Sequence, residues 1–292
     1  MSNHNQNNAY SIIVLTYNSE NFIDDCLTSL QKNWPLNIKK EILVIDNNSE
    51  DKTVEEVKKY KNDIKLFELK KNKGFAKGVN FGIKKSKYSK VIILNPDTKI
   101  LPSTIKNLFK CENFSGAQII GGKAKINKKV HNTYVRYPTL TTVLFDYTNL
   151  RKLVPGDFFH KKHYYLDFKT RKNTEVDVVS GCFMLIDKKV FKKIGLFDEN
   201  FFMYLEDIDF CLRAKRNGFK IHYCNDSEII HHGGGSSKNP DKIHHQAWIK
   251  SRKYYCLKHF NFFENLLLQP ILFFDSILIQ SRAKVKSENL NS

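Results

Sequence analysis

The chain has 292 residues, with 48 Lys and Arg against 30 Asp and Glu, a formal net charge of +18. Hydrophobic residues make up 41%, enough for a full core, which excludes an intrinsically disordered chain. The charge points to an anionic partner (nucleic acid, an acidic membrane surface or a phosphorylated ligand) without choosing among them.

Residues 1–9 are polar and Asn-rich, so a disordered N-terminus without a secretory signal is expected there. Ser11 to Thr16 then reads as a strand, and from Ser19 the spacing turns helical, with Phe22, Ile23, Cys26, Leu27 and Leu30 on one face. Glu41 to Ile45 is a second strand, stopped by Asp46-Asn47-Asn48-Ser49, and a polar helix follows to about Tyr60. Ile64 to Leu69 is a third strand, Gly74 to Lys85 a helix, and Val91 to Leu94 a fourth strand ending at Asn95-Pro96-Asp97. Strands alternating with helices of about 10–15 residues predict βαβ units and a mostly parallel sheet. Ligands of such sheets sit outside the carboxyl ends of the strands, which singles out the polar residues after each strand.

The alternation weakens after Gly122. Residues 123–175 carry twelve Lys and Arg against four acids, with many aromatics, and read as a basic excursion over one face or a solvated insertion. Strands return at Val176 to Val179 and Cys182 to Ile186, followed by helices at Asp187 to Ile194 and about Glu206 to Asn217, the second closed by Gly218. Phe219 to Tyr223 and Glu228 to His231 read as two short strands, and Ile243 to His259 as a helix. Residues 260–292 read as an amphipathic helical tail with a frayed end. No run of about 20 apolar residues is present, because Gln269, Pro270 and Asp275 interrupt the tail, so no spanning helix is expected. Six cysteines form no C-x-x-C pair and are expected as free thiols.

Four clusters offer chemistry. Asp46, at a strand end, is either a turn residue or an acceptor for a pyrimidine N–H. Asn95-Pro96-Asp97 is either a turn or a carboxylate placed to hold Mg²⁺ or Mn²⁺ with substrate phosphates. Glu206, Asp207 and Asp209 crowd a helix start, where acids are favourable. Asp209 can pair with Arg213, while the crowding can raise a neighbouring carboxylate toward general-base use. His231-His232-Gly233-Gly234-Gly235 combines metal-ligand side chains with glycines that allow close approach of a phosphate. Neither a P-loop nor G-x-G-x-x-G is present.

In order, SIIVLTYNSENFIDDCLTSL, EILVIDNNSEDKT, NKGFAKGVNFGI, ILNPDT, the long segment Val179 to Tyr223 and IIHHGGGSS resemble the inverting glycosyltransferases of family 2, which have the GT-A fold. The run G-x-F-D-E-x-F-F, E-D-x-D-x-x-x-R, H-H-G-G resembles the rhamnosyltransferase-like subgroup of bacterial O-antigen and capsule assembly. The resemblance implies a Rossmann-like α/β domain over 10–259, with helices on both faces and a C-terminal helical extension. It implies a nucleotide-diphospho-sugar donor (dTDP or UDP) bound by Thr16, Tyr17, Asp46, Asn48, Gly74, Asn95 and Asp97. Asp207 matches the catalytic base, with Glu206 on the acceptor side. A divalent metal, Mn²⁺ or Mg²⁺, falls to Asp97 and His231, since the first acid of the family's Asp-x-Asp motif is Asn95 here. The implied acceptor is a saccharide or a polyprenyl-pyrophosphate-linked glycan, and the implied place is the cytoplasm or the cytoplasmic face of the inner membrane.

Three other readings fit less well. A nucleic-acid-binding protein lacks its motifs, and its acidic cluster would face a polyanion. A nucleotidyltransferase lacks a Gly-rich loop with Lys or Arg in the first strand-to-helix turn. An inactive relative would not be expected to keep Asp97, Asp207 and His231. Residues 176–240 hold nine charges of each sign, so the positive excess surrounds the expected site. The apolar tail packs on the domain, forms a homodimer or lies at a membrane surface.

Overall fold

The structure is a computed structural model that describes residues 9–288 apart from 127–128, 132, 155–156, 167–171 and 233–239. The expected disordered N-terminus, except Ala9, and the glycine run after His232 lie outside the described residues.

One large sheet organises the chain. Its parallel half contains β1 (Ala9–Thr16), β2 (Lys39–Asp46), β3 (Ile64–Glu68) and β4 (Lys90–Leu94), in the order β3-β2-β1-β4. The chain steps outward from β1 to β2 and β3, then crosses back to β4. That reversal creates a crevice at the carboxyl ends of β1 and β4. Beyond β4 the sheet is mixed: β11 (Phe183–Asp187) runs antiparallel to β4, with Phe183 opposite Leu94. β6 (Ile119–Ile126) and β12 (Ile221–His231) follow, and β5 (Thr98–Ile100) closes the edge.

Strand alternation separates two cores, as a period of two requires. Ile13, Leu43, Ile45 and Ile93 face one way, against Val79 and Ile83 of α3 (Gly74–Lys85). Ile12, Val14, Ile42, Val44 and Ile92 face the other, against α1 (Ile23–Lys32) and α4 (Thr104–Ser115). Helices therefore cover both faces. In α3, a Cβ at Gly78 would stand 2.4 Å from Leu15 Cδ1, so the helix lies close on β1 because no side chain intervenes.

Three expectations change. The two short strands expected near the C-terminal part are one strand, β12, whose register slips between Cys224 and Glu228. Ladder bonds on both sides of the irregularity keep it in one sheet. The basic segment is built into the domain, not laid over it as a solvated loop. Tyr134, Val143 and Tyr147 join the first core, and β8 (Tyr134–Val135) pairs with β10 (Val178–Val179).

The tail is one helix, α10 (Phe262–Glu288), running through Pro270. Its Phe262–Ser281 stretch is long and apolar enough, by length and composition only, to cross a membrane, against the expectation of no such helix. The physical reason is that Pro270 does not end the helix and the polar residues are too few to offset the apolar ones; Asp275, which interrupts the apolar run, is buried and paired. Arg252 of α9 (Pro240–His259), fully buried, donates to Asp275 Oδ2 at 2.5 Å and to the Tyr147 carbonyl at 2.6 Å. Asn149 donates twice to Asp275 Oδ1, from its backbone and side-chain nitrogens, both at 2.8 Å. Burial opposes ionisation of Asp275, but these bonds and the Arg252 charge prevail and hold the carboxyl below its ordinary range. All six cysteines are free and buried.

Candidate functional site

The sheet register assembles the site. β1 and β2 run in step, so Thr16 stands beside Asp46. β1 and β4 pair as far as Val14 and Leu94, which brings Asn95 level with the end of β1. β12 pairs with β5 so that His231 faces Thr98, next to Asp97. The Asp97 carbonyl accepts from the His232 backbone N–H at 2.9 Å, locking the two strand ends together.

A cavity of about 280 Å³ opens at these ends. Of the expected residues, Thr16, Tyr17, Gly74, Asn95, Asp97 and His231 line it. Asp46, Asn48, Glu206 and Asp207 do not. Asp46 is occupied within the protein: Thr16 Oγ1 donates to Oδ1 at 3.0 Å and the Ser49 N–H to Oδ2 at 2.9 Å. Asn48 has φ 69° and turns the chain toward α2 (Thr53–Lys58).

Asp97, 5% exposed, and His231 meet with Oδ1 and Nε2 3.1 Å apart. The Nδ1 of His231 is buried with no partner among the described residues. This pair offers one hard oxygen donor and one imidazole to a divalent ion. No group of three or more His, Cys, Asp or Glu suited to a metal occurs among the described residues. An ion held by this pair would have to complete its shell with water and ligand phosphates. The His232 ring instead lies against Phe22, centroids 5.3 Å apart.

Asp207 is the second residue of α8 (Glu206–Arg216). Its carboxylate accepts from the Gly181 N–H at 3.1 Å and the Ile208 N–H at 2.8 Å. Burial pushes its carboxyl upward, and those two N–H bonds pull it back in part. Glu206, expected on the acceptor side, is enclosed instead, with Oε2 unpartnered among the described residues. Burial first, and then the Asp207 charge, drive its carboxyl well above the ordinary range. Two carboxylates with unequal environments take unequal protonation states. Asp209, the third acid, ion-pairs with Arg213 at 2.8 Å as its spacing suggested.

The approach to α8 is strained. Tyr204 and Leu205 both have positive φ, 72° and 67°, conformations that L side chains avoid. The loop is held from two sides. The Phe75 N–H donates to the Phe202 carbonyl at 2.7 Å. A Cβ at Gly74, φ +80°, would fall 2.3 Å from that carbonyl oxygen, so only glycine fits.

Asn47, one of the polar residues singled out after the strands, lines the cavity with Phe202 and Tyr204, and so do Phe75 and His244, which the motifs did not place in the site. Asn47 is buried; its Nδ2 donates to Asn72 Oδ1 at 2.9 Å, and its Oδ1 accepts from the Lys73 N–H at 2.9 Å. His244 reaches in from α9 and hydrogen-bonds Tyr204 Oη. Helical periodicity had located α9 without showing which face meets the cavity.

An open α/β sheet with a crevice at its switch point is the architecture of Rossmann-like domains, whose ligands bind there. The family model "Glycosyl transferase family 2" matches residues 11–195, and the chain belongs to that family. It is 29% identical over 227 residues to Low-salt glycan biosynthesis hexosyltransferase Agl10 of Haloferax volcanii, covering 76% of this chain and 66% of that protein. It is 26% identical over 260 residues to dTDP-rhamnosyl transferase RfbF of Shigella flexneri, covering 86% of this chain and 78% of that one. Among solved structures, S. aureus TarS 1–349 in complex with UDP-GlcNAc superposes with TM-score 0.56 at 20% identity, covering 90% of this chain and 70% of that chain. GalNAc-T7 with UDP, GalNAc and Mn²⁺ gives TM-score 0.58 at 16% identity, covering 79% and 45%. These two likenesses establish the GT-A fold.

Proposed function

We propose that this family 2 glycosyltransferase moves a hexose, such as rhamnose, from a dTDP- or UDP-sugar to a saccharide acceptor, with inversion, in surface-polysaccharide synthesis. The observation that carries the reading is the meeting of Asp97 and His231 at the switch-point crevice, with Phe75 of the cavity wall and Asp207 both beside Gly181. A Cβ on Gly181 would lie 3.1 Å from Phe75 Cζ and 3.9 Å from Asp207 Cβ. The relatives named for hexosyl and dTDP-rhamnosyl transfer support the donor class.

The Asp207 carboxylate takes the proton of an acceptor hydroxyl, and that oxygen attacks the anomeric carbon. The anomeric C–O bond breaks, the nucleoside diphosphate leaves with the electron pair, and the configuration inverts. Thr16, Tyr17, Asn47 and Asn95 hold the nucleotide at the crevice, and Tyr204 with His244 forms the opposite wall. Asp97 and His231 would hold a divalent ion, which when bound supplies positive charge to the leaving diphosphate. Donor hydrolysis across dTDP-, UDP- and GDP-sugars with Mn²⁺ tests the assignment. Turnover of dTDP- or UDP-sugars that chelator suppresses is expected; unchanged rates in excess chelator would remove the metal role.

Membrane-surface attachment through α10 is part of the reading. Leu268, Leu272 and Asp275 face the domain, while Phe262, Phe263, Leu266, Phe273 and Phe274 are exposed. The buried Arg252–Asp275 pair ties the middle of α10 to the domain, which favours a helix lying in the interface over one that spans. Co-flotation with anionic vesicles is expected for the full chain and lost without residues 261–292. Equal flotation of both would overturn it.

A further inference from the structure

A second cleft adjoins the catalytic cavity. It measures about 560 Å³ and is lined by Lys71, Lys73, Lys77 and Lys84, with Leu69, Phe81 and Phe202 as its apolar wall. Asn72 and Phe202 line both spaces, so a ligand in one ends at the mouth of the other.

Charge is distributed unevenly between the two. Among the described residues, no Lys or Arg lines the catalytic cavity. The neighbouring cleft holds four lysines and one acid, Glu199. Glu199 Oε1 already accepts from Asn80 Nδ2 at 3.1 Å. No ion pair engages these lysines among the described residues. Lys77 and Lys84, seven residues apart on α3, and Lys71 and Lys73 of the preceding loop line the same space and give it an excess of positive charge that an anion would complement. Ammonium groups bind phosphate as point charges, and exposed aromatic faces such as Phe202 suit sugar or hydrocarbon.

We propose that this cleft binds the phosphate or pyrophosphate ester on which the acceptor saccharide is carried. The inference rests on the transfer reading above, and it separates two anionic tasks. The donor diphosphate belongs to the Asp97–His231 end, whereas the acceptor phosphate belongs to the lysines. Phe202 lies between them, on the loop that leads to Asp207.

The test is calorimetric binding of farnesyl pyrophosphate and of inorganic pyrophosphate, both in excess chelator. Wild type and Asp97→Asn are expected to bind farnesyl pyrophosphate alike. The triple variant Lys71→Ala/Lys73→Ala/Lys77→Ala is expected to lose at least about tenfold in affinity, and the corresponding triple Arg variant to retain it. These side chains are exposed, and donor hydrolysis by the triple Ala variant should be unchanged. Undiminished binding by the triple Ala variant would overturn the proposal. So would inorganic pyrophosphate binding as tightly as the farnesyl ester, which would mark a site for free anions. Absence of donor hydrolysis in the wild type would sink the transfer reading while leaving the binding result intact.

Discussion

The strand-end cavity and the α10 surface are built by opposite means. Three polar groups at the cavity are positioned by backbone register: Thr16 by β1 against β2, Asn95 by β1 against β4, His231 by β12 against β5. α10 is placed chiefly through its side chains, by a narrow buried stripe and the Arg252–Asp275 ion pair, with the Asn149 backbone N–H also on Asp275. A ladder spreads its positioning over many bonds, so single changes at the cavity alter chemistry more than fold. A helix held at one buried charge pair concentrates its stability there, so a single change should loosen it.

The largest effect expected is chemical. Asp207→Asn should lower transfer by about 10² to 10⁴-fold while donor affinity, read by thermal shift with the nucleotide, stays within error. Full turnover would remove Asp207 as the base. Next is the α10 anchor. Arg252→Met should cost about 3–5 kcal/mol in denaturant unfolding, because Asp275 is left buried and unpaired. Arg252→Met/Asp275→Leu should recover most of that loss; no recovery would show that packing, not charge, holds the helix. Gly74→Ala should cost about 1–3 kcal/mol through backbone strain and also weaken donor binding, since Gly74 supports the Phe202 loop. A stable variant with normal activity would contradict that close approach.

Two pH effects sharpen the comparison. Because burial raises the Asp207 carboxyl, the acid limb of transfer should lie above the ordinary Asp value of about 3.9. A limb at or below it would show that Asp207 is not the titrating base. Asp275 has the opposite sign. Its carboxyl is depressed in the folded state, so the stability it adds is present above the unfolded value and is lost as pH falls through the folded one. Asp275→Asn should therefore narrow the drop in Tm on acidification. The same drop in the variant would assign it to other carboxylates.

Much of the fold was legible locally. β-branched runs followed by Thr16-Tyr17, Asp46-Asn47 and Asn95-Pro96-Asp97 marked strands and their polar ends, because alternation and turn chemistry act over a few residues. The edges of β12 were not legible, since continuity across Asn225 to Ser227 depends on neighbours on both sides. Nor was the fate of Asp275, a polar break by composition that lies inside a helix and is buried against Arg252. Tyr134 and Tyr147 had the same charge-rich surroundings as a solvated loop, yet the core claims them.

The excess charge that opened the sequence shows the same division. By itself the sequence determined that the chain is basic, that it alternates strand and helix, and that carboxylates and histidines follow particular strands. Those properties depend on residue identity and short spacing. Tertiary structure decided that Asp97 meets His231, that Asp46 is spent inside the protein, and that four lysines share a cleft beside the site. Each of these joins segments distant in sequence, and such pairings are set by register and packing, which no local pattern encodes.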